Sequence, residues 1–235
     1  MRSKIILPLV AILFLLLTLP VQSEVSTEQM TKIRNASDVL RNALAGPEGG
    51  IPKEVVDTAQ GIAVIPGIVK GAFIAGGRYG DGVLTVRADK DNWSSPAFIS
   101  LTGASLGAQV GAEVSDLILV FNTKKGIDAL EDGKLDLGAD IALVAGPLGG
   151  KGEWTGDVTP GADVYAYSRN ERGLFAGFSL TGSVVQFDDS ANASFYGKAG
   201  ITPEMIFARG PVTAPMATNE FTCLVAKTTG TKPTC

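Results

Sequence analysis

The hydrophobic pattern of the chain changes period several times, and each change predicts a change of element. Ser26-Thr27-Glu28-Gln29 has the Ser-x-x-Gln spacing of a capping box, and Ile33, Ala36, Leu40, Ala43 and Leu44 follow at helical spacing until Gly46-Pro47. This predicts an N-terminal amphipathic helix. A second, short helix is expected from Pro52 to Ala59, because proline suits a first turn and Gly61 lies just past the end. The runs Ile62 to Ile65, Ala72 to Ala75, Val83 to Arg87, Ala97 to Leu101 and Leu117 to Phe121 are short, apolar and separated by glycine. They read as strands. Gly80-Asp81-Gly82 and Asp89-Lys90-Asp91-Asn92 are turn formers, so the three central runs are expected to pair as antiparallel hairpins.

A short helix is predicted from Lys124 to Leu130, then strands from Gly138 to Ala145, Asp163 to Ser168 and Leu174 to Phe187, the last two joined by a turn at Asn170 to Gly173. Helix returns at the end, with Thr202 as cap, Pro203 at the first position and Gly210 as stop. A last helix from Pro215 to Lys227 would align Ala217, Phe221, Leu224 and Val225 on one face. Phe98 to Gly103 and Phe178 to Gly182 share the pattern Ser-Leu-Thr-Gly, a hint of a duplicated hairpin. The expected fold is therefore α+β: antiparallel glycine-rich β-sheets or a barrel-like core, with N-terminal and C-terminal helices.

The first residues change the picture of where this domain works. Met1 to Lys4 carry two positive charges and Ile5 to Leu19 is an almost unbroken apolar run, followed by Pro20, Val21 and Ser23. This is the pattern of a secretory signal, with cleavage expected between Ser23 and Glu24. The expected organisation is a signal segment at 1–23 and a single domain at 24–235, periplasmic or secreted. An uncleaved anchor is the alternative, although the run is shorter than the ~20 residues that span a bilayer. Loss of Arg2 and Lys4 would take the formal charge from −4 to −6. Nonspecific attraction to nucleic acid or to an anionic membrane is therefore not the default. Cys223 and Cys235 could close a C-terminal disulfide in an oxidising compartment; two free thiols is the other reading.

Candidate chemistry is limited by what the chain lacks, since it contains no histidine. Gly103-Ala104-Ser105-Leu106-Gly107 has the G-x-S-x-G spacing of a hydrolase elbow, but its serine has no histidine to act as base. Gly149-Gly150-Lys151 resembles the end of a phosphate loop, yet Ala145 stands where the first glycine belongs and Gly152 where Ser or Thr should hold magnesium. Asp89, Asp91 and Asn92 begin like a calcium loop and lack its glycine and distal glutamate. Asp188 and Asp189 read as solvated turn residues rather than a glycosidase pair. No enzyme, metal or cofactor is expected. Asn35, Asn92 and Asn192 head sequons to which no role is assigned.

A series of glycine-studded blocks carries a resemblance. Gly61-Ile62-Ala63-Val64-Ile65-Pro66, Lys70-Gly71-Ala72-Phe73 and Gly76 to Leu84 come first, then Trp93-Ser94-Ser95-Pro96-Ala97-Phe98 and Gly103 to Gly111 with Gln109. Leu137 to Asp140, Ala145 to Gly149, Tyr165 to Ser168 and Gly173-Leu174-Phe175 follow in order. From about residue 28 to 226 the chain resembles the SYLF family, in its exported bacterial form. The resemblance implies a compact α+β domain that binds membrane lipid, notably phosphoinositides, through an N-terminal amphipathic helix and basic residues. Actin binding, linked to yeast and animal members, is not expected to transfer to a chain with an export signal.

The basic residues that could meet an anionic headgroup are Lys32, Arg34 and Arg41 on the first helix, Lys70, Arg78 and Arg87 around the first hairpin, and Lys124 and Lys125 at the start of a later helix. The first helix could equally bury its apolar face on the sheet. The competing reading is a periplasmic or secreted structural or interaction protein without a lipid ligand. An outer-membrane barrel does not fit, because the strands do not alternate cleanly over ~10 residues.

Overall fold

A computed structural model of the protein describes residues 27–45, 50–72, 76–89, 92–105, 111–146, 162–170, 173–176, 180, 182–208 and 220–231. Two helices open it, α1 (Thr27–Leu44) and α2 (Lys53–Thr58). Five strands follow: β1 (Gly61–Ala72), β2 (Gly76–Asp89), β3 (Asn92–Trp93), β4 (Ala97–Ser105) and β5 (Gly111–Phe121). After α3 (Lys125–Glu131) come β6 (Lys134–Leu137), β7 (Leu143–Ala145), β8 (Val164–Asn170), β9 (Gly173–Ala176) and β10 (Ser183–Phe187). Helices α4 (Asp189–Tyr196), α5 (Pro203–Phe207) and α6 (Glu220–Thr228) close the described chain. Among the described residues, no helix is long and apolar enough to cross a membrane.

The strands form one sheet in the order β6-β10-β4-β2-β1-β5-β8-β7, with β3 also on β2 and β9 also on β8. Every pairing is antiparallel except β7 with β8. The sheet curls into a nearly closed barrel. Because side chains alternate along a strand, each face has its own core. Ile65, Ile68, Leu84, Leu101, Leu117, Leu119, Leu135 and Val185 fill the inner face, joined by Ile127 and Leu130 of α3 and Ile206 and Phe207 of α5. Ile62, Val64, Val83, Phe98, Ile118 and Val120 lie on the outer face beneath Ile33 and Leu40 of α1, Phe195 of α4 and Phe221 of α6. The α+β expectation and the barrel-like core hold.

Several local expectations change. Gly80-Asp81-Gly82 is not a turn but the middle of β2. There β1 carries one extra residue relative to both neighbours, between Val64 and Val69, and Gly67 takes φ 59°. The bulge turns both Ile65 and Ile68 inward, against the two glycines. A Cβ at Gly82 would stand 2.6 Å from the carbonyl oxygen of Val64 and from Ile65 Cγ1, and one at Gly80 would stand 2.8 Å from Ile65 Cγ2 and Ile68 Cγ1. Those glycines mark close approach rather than reversal.

The strand expected from Gly138 is divided: β6 ends at Leu137, Gly138 takes φ 93°, and β7 begins only at Leu143. The pair Asp188 and Asp189 opens a helix instead of a turn. Asp188 accepts a hydrogen bond from the Ala191 amide at 2.9 Å, capping α4, and Asp189 sits in its first turn. That helix buries Asn192, whose amide group donates to and accepts from the backbone of Phe98 in β4 at 2.8 and 2.9 Å. The side chain of Asn192 is therefore part of the core. Thr202 caps α5 with Pro203 at its first position, as the sequence predicts.

Candidate functional site

The first helix presents Ile33, Ala36, Leu40 and Ala43 to the sheet, and all four are buried. Its apolar face covers the outer core. Two of its three candidate cations are engaged at close range. Lys32 Nζ lies 3.1 Å from Glu28 and 3.1 Å from Asp81 on β2. Burial works against its charge, but the hydrogen bonds to Asp81 and Glu28 outweigh that and hold Lys32 above the ordinary lysine range. Arg41 pairs with Asp38 on its own helix and, at 3.1 Å, with Glu220 at the start of α6. Arg34 is exposed.

The remaining candidates fall in two places. Arg87, near the end of β2, donates to the carbonyls of Ala59 at 2.8 Å and Asp57 at 2.9 Å and stacks over Trp93 with 4.8 Å to the ring centroid. Burial pulls its guanidinium below the usual arginine range. It ties α2 to the sheet. Lys124 and Lys125 are exposed at the start of α3, where Lys125 lies 3.4 Å from Asp163.

Lys70 and Arg78 sit together at the other end of the sheet. They are register partners on β1 and β2, with Glu113 opposite Lys70 on β5 and Gly103 opposite Arg78 on β4. Lys70 is half-buried, while Arg78 is only 6% exposed, with burial pulling its guanidinium down. The stem of Arg78 fills the space over Gly103: a Cβ there would meet Arg78 Cγ at 3.1 Å and Ser183 Oγ at 2.7 Å. Ser183, next along on β10, is fully buried, and its hydroxyl has no hydrogen-bond partner among the described residues. The inner face thus carries a polar layer of Lys70, Arg78 and Ser183 above an apolar interior, with the acidic position Glu113 in register with Lys70.

The outer face at the same level was missed by sequence reading. Thr102, Tyr79, Val69 and Val114 are register neighbours across β4, β2, β1 and β5, and all point away from the inner core. Tyr79 is 55% exposed, Val69 51% and Val114 59%. These are three of the four large hydrophobic side chains exposed among the described residues, the fourth being Met205 on α5. The signal that could have found them is the lack of charge from Gly71 to Gly77 and from Gly103 to Ala112.

Other sequence candidates are easily placed. Ser105 is the last residue of β4, and the next described element is another strand, β5, rather than the helix of a nucleophile elbow. Asn92 donates to Asp89 at 2.7 Å across the β2–β3 turn, and no metal-ligand cluster occurs among the described residues. Cys223 on α6 is disulfide-bonded. Ser23, Glu24, Gly149 to Lys151 and Cys235 lie outside the described residues.

Comparison with known proteins gives the same family from independent matches. Residues 102–228 match the family described as "Ysc84: Las17-binding protein actin regulator". LAS seventeen-binding protein 3 of Saccharomyces cerevisiae is 37% identical over 194 residues, covering 81% of this chain and 41% of that protein. Protein YSC84 of the same yeast is 34% identical over 195 residues, covering 80% and 41%. The SH3 domain-containing YSC84-like protein 1 of Xenopus laevis is 34% identical over 188 residues, covering 77% and 54%. The chain thus spans about half or less of the length of these relatives. With residues 102–228 matched by the family and a relative 37% identical over 81% of the chain, the chain belongs to the Ysc84 (SYLF) domain family.

Proposed function

We propose that this protein is an exported, peripheral lipid-binding domain that takes an anionic membrane-lipid headgroup of phosphoinositide type, and that it performs no covalent chemistry. The observation that carries the reading is the inner polar layer of Lys70, Arg78 and Ser183 at one end of the sheet. A guanidinium forks naturally onto phosphate oxygens, and in a partly desolvated site each such bond is stronger than in water. A serine hydroxyl beside it adds a donor. The charged N-terminus and the apolar run from Ile5 to Leu19 support export, with the processed chain beginning at Glu24. The absence of histidine supports the non-catalytic reading of Ser105.

A second reading has its own support, because the family is described as Las17-binding and its relatives carry that name. On that reading the domain is an interaction module for a protein partner. The test is co-sedimentation with zwitterionic and anionic vesicles at two salt concentrations, alongside filamentous actin as a separate arm. The lipid reading expects retention on anionic vesicles that weakens with salt. Lys70→Gln should lower it by about fivefold, in line with about 1 kcal/mol per cation near an anionic surface, and Arg78→Lys, which keeps the charge, should lower it by a smaller factor through loss of the guanidinium fork. Gln at Lys32, Arg34 and Arg41 together should cost less than Lys70→Gln, since two of those three already serve ion pairs. A folded parent that binds no vesicle while binding actin overturns the lipid reading in favour of the protein partner.

A further inference from the structure

We propose that the outer wall around Tyr79, Val69 and Val114 is where the domain enters a lipid interface. The inference rests on the lipid reading above and names the surface that does the inserting. Three features of the wall point to lipid. The first is a continuous uncharged band. Beyond the row of Thr102, Tyr79, Val69 and Val114, the next outward register positions on β4 and β2 are Ala104 and Gly77. These outward positions are therefore free of charge at one end of the sheet, while Lys70 and Arg78 stand on the inner side.

The second feature is the belt of charge behind the row. Two of its acidic groups are paired: Asp81 is held by Lys32 at 3.1 Å, and Asp116 by Arg169 at 3.4 Å and by the Gly67 amide at 2.9 Å. Paired charges cost less than single ones when brought toward a low-dielectric surface. The third is Tyr79 itself, whose hydroxyl donates to Asp81 at 2.5 Å while its ring remains exposed. A tyrosine with its polar end tied to the belt and its ring beside apolar neighbours suits the headgroup boundary, where aromatic residues with one wet end collect. A stable contact with a second copy needs roughly 20–30 residues a side. A row of three large side chains is far short of that, whereas shallow insertion needs only a few.

The test places a reporter in the row. Tyr79→Trp in the protein as its producing cells leave it, mixed with anionic vesicles whose acyl chains are brominated, should show quenching well beyond that of the parent, whose Trp93 and Trp154 supply the background. Val69→Thr, Val114→Thr and Tyr79→Thr together, which keep strand-forming side chains, should weaken vesicle binding by about thirtyfold through lost apolar insertion. The remaining binding should keep its salt dependence. If the parent binds vesicles but the Tyr79→Trp variant shows no added quenching and the threonine variant binds as tightly, the wall is not the inserting surface and the headgroup reading stands alone. If the parent binds no vesicle, the lipid reading fails first. A parent that sediments as a dimer, with the threonine variant monomeric and the reporter indole unquenched, assigns the wall to a second copy and overturns the inference.

Discussion

Glycine in this chain does two different jobs, and substitution separates them. At Gly82 an added methyl group would collide with the Val64 carbonyl, a backbone atom that cannot rotate away. Gly82→Ala should therefore lower unfolding stability by about 2–3 kcal/mol, the cost of overpacking a tight site. At Gly77 the nearest atom to an added Cβ is 3.8 Å away and the backbone is ordinary strand. Gly77→Ala should be neutral or raise stability by up to about 1 kcal/mol, through the unfolded chain. Urea unfolding of both variants checks the pair: equal midpoints would mean that β1 and β2 can part without cost at the bulge.

At the scale of elements, α1 is the clearest case of a helix whose amphipathic pattern has two physical explanations. The structure assigns its apolar face to the outer core, with Leu40 and Ile33 fully buried there. Leu40→Ala should then cost about 3 kcal/mol, the usual penalty for a cavity under a buried leucine. Lys32→Gln, which removes the partly exposed bridge to Asp81, should cost no more than about 1 kcal/mol. Thermal melting distinguishes this from a helix that lies on lipid, for which Leu40→Ala would leave the midpoint unchanged. The far end of the fold is tied differently: Thr222 and Thr229 of the α6 region bond to the Ser94 carbonyl at 3.2 Å and the Trp93 indole at 3.1 Å. Helices α1 and α6 thus clasp the outer face from both termini of the described chain.

For the whole molecule, titration behaviour follows from what is buried and what is missing. With no histidine, no side chain has an ordinary pKa between that of the carboxylates and that of the cysteines, so stability should be flat around neutral pH. Two tyrosines change this at high pH. Burial pushes both Tyr167 and Tyr196 far above the ordinary tyrosine value, with the neighbouring Tyr165 adding to the shift at Tyr167. A raised folded pKa means that the native protein keeps protons that the unfolded chain has released. Stability is therefore full below the unfolded value of about 10 and is lost as pH rises above it, by up to about 1.4 kcal/mol per pH unit for each tyrosine. Urea titrations from pH 8 to 11.5 should show this decline, and Tyr196→Phe should reduce its slope while losing the 2.6 Å bond to the Pro96 carbonyl.

What the sequence determined by itself is what local chemistry can specify. The period of Ile33 to Ala43 and the Thr202-Pro203 cap each act within a few residues, so α1 and α5 were legible, and so were the strands at Val83, Ala97 and Leu117. The glycine blocks carried the family because they recur in fixed order. Tertiary structure decided what depends on partners distant in the chain. Gly80 and Gly82 look like a turn until the bulge of β1 brings Ile65 and Ile68 against them, 12 to 17 residues away in sequence. Asp188 becomes a helix cap because Asn192 can bury its amide against Phe98, 94 residues earlier. The candidate cations likewise look equivalent in sequence, yet register sends Arg87 to the α2 carbonyls, Lys32 to Asp81, and Lys70 and Arg78 to one layer. The exposed row of Tyr79, Val69 and Val114 exists only because three strands align at one level, and a one-residue slip would turn each side chain to the opposite face.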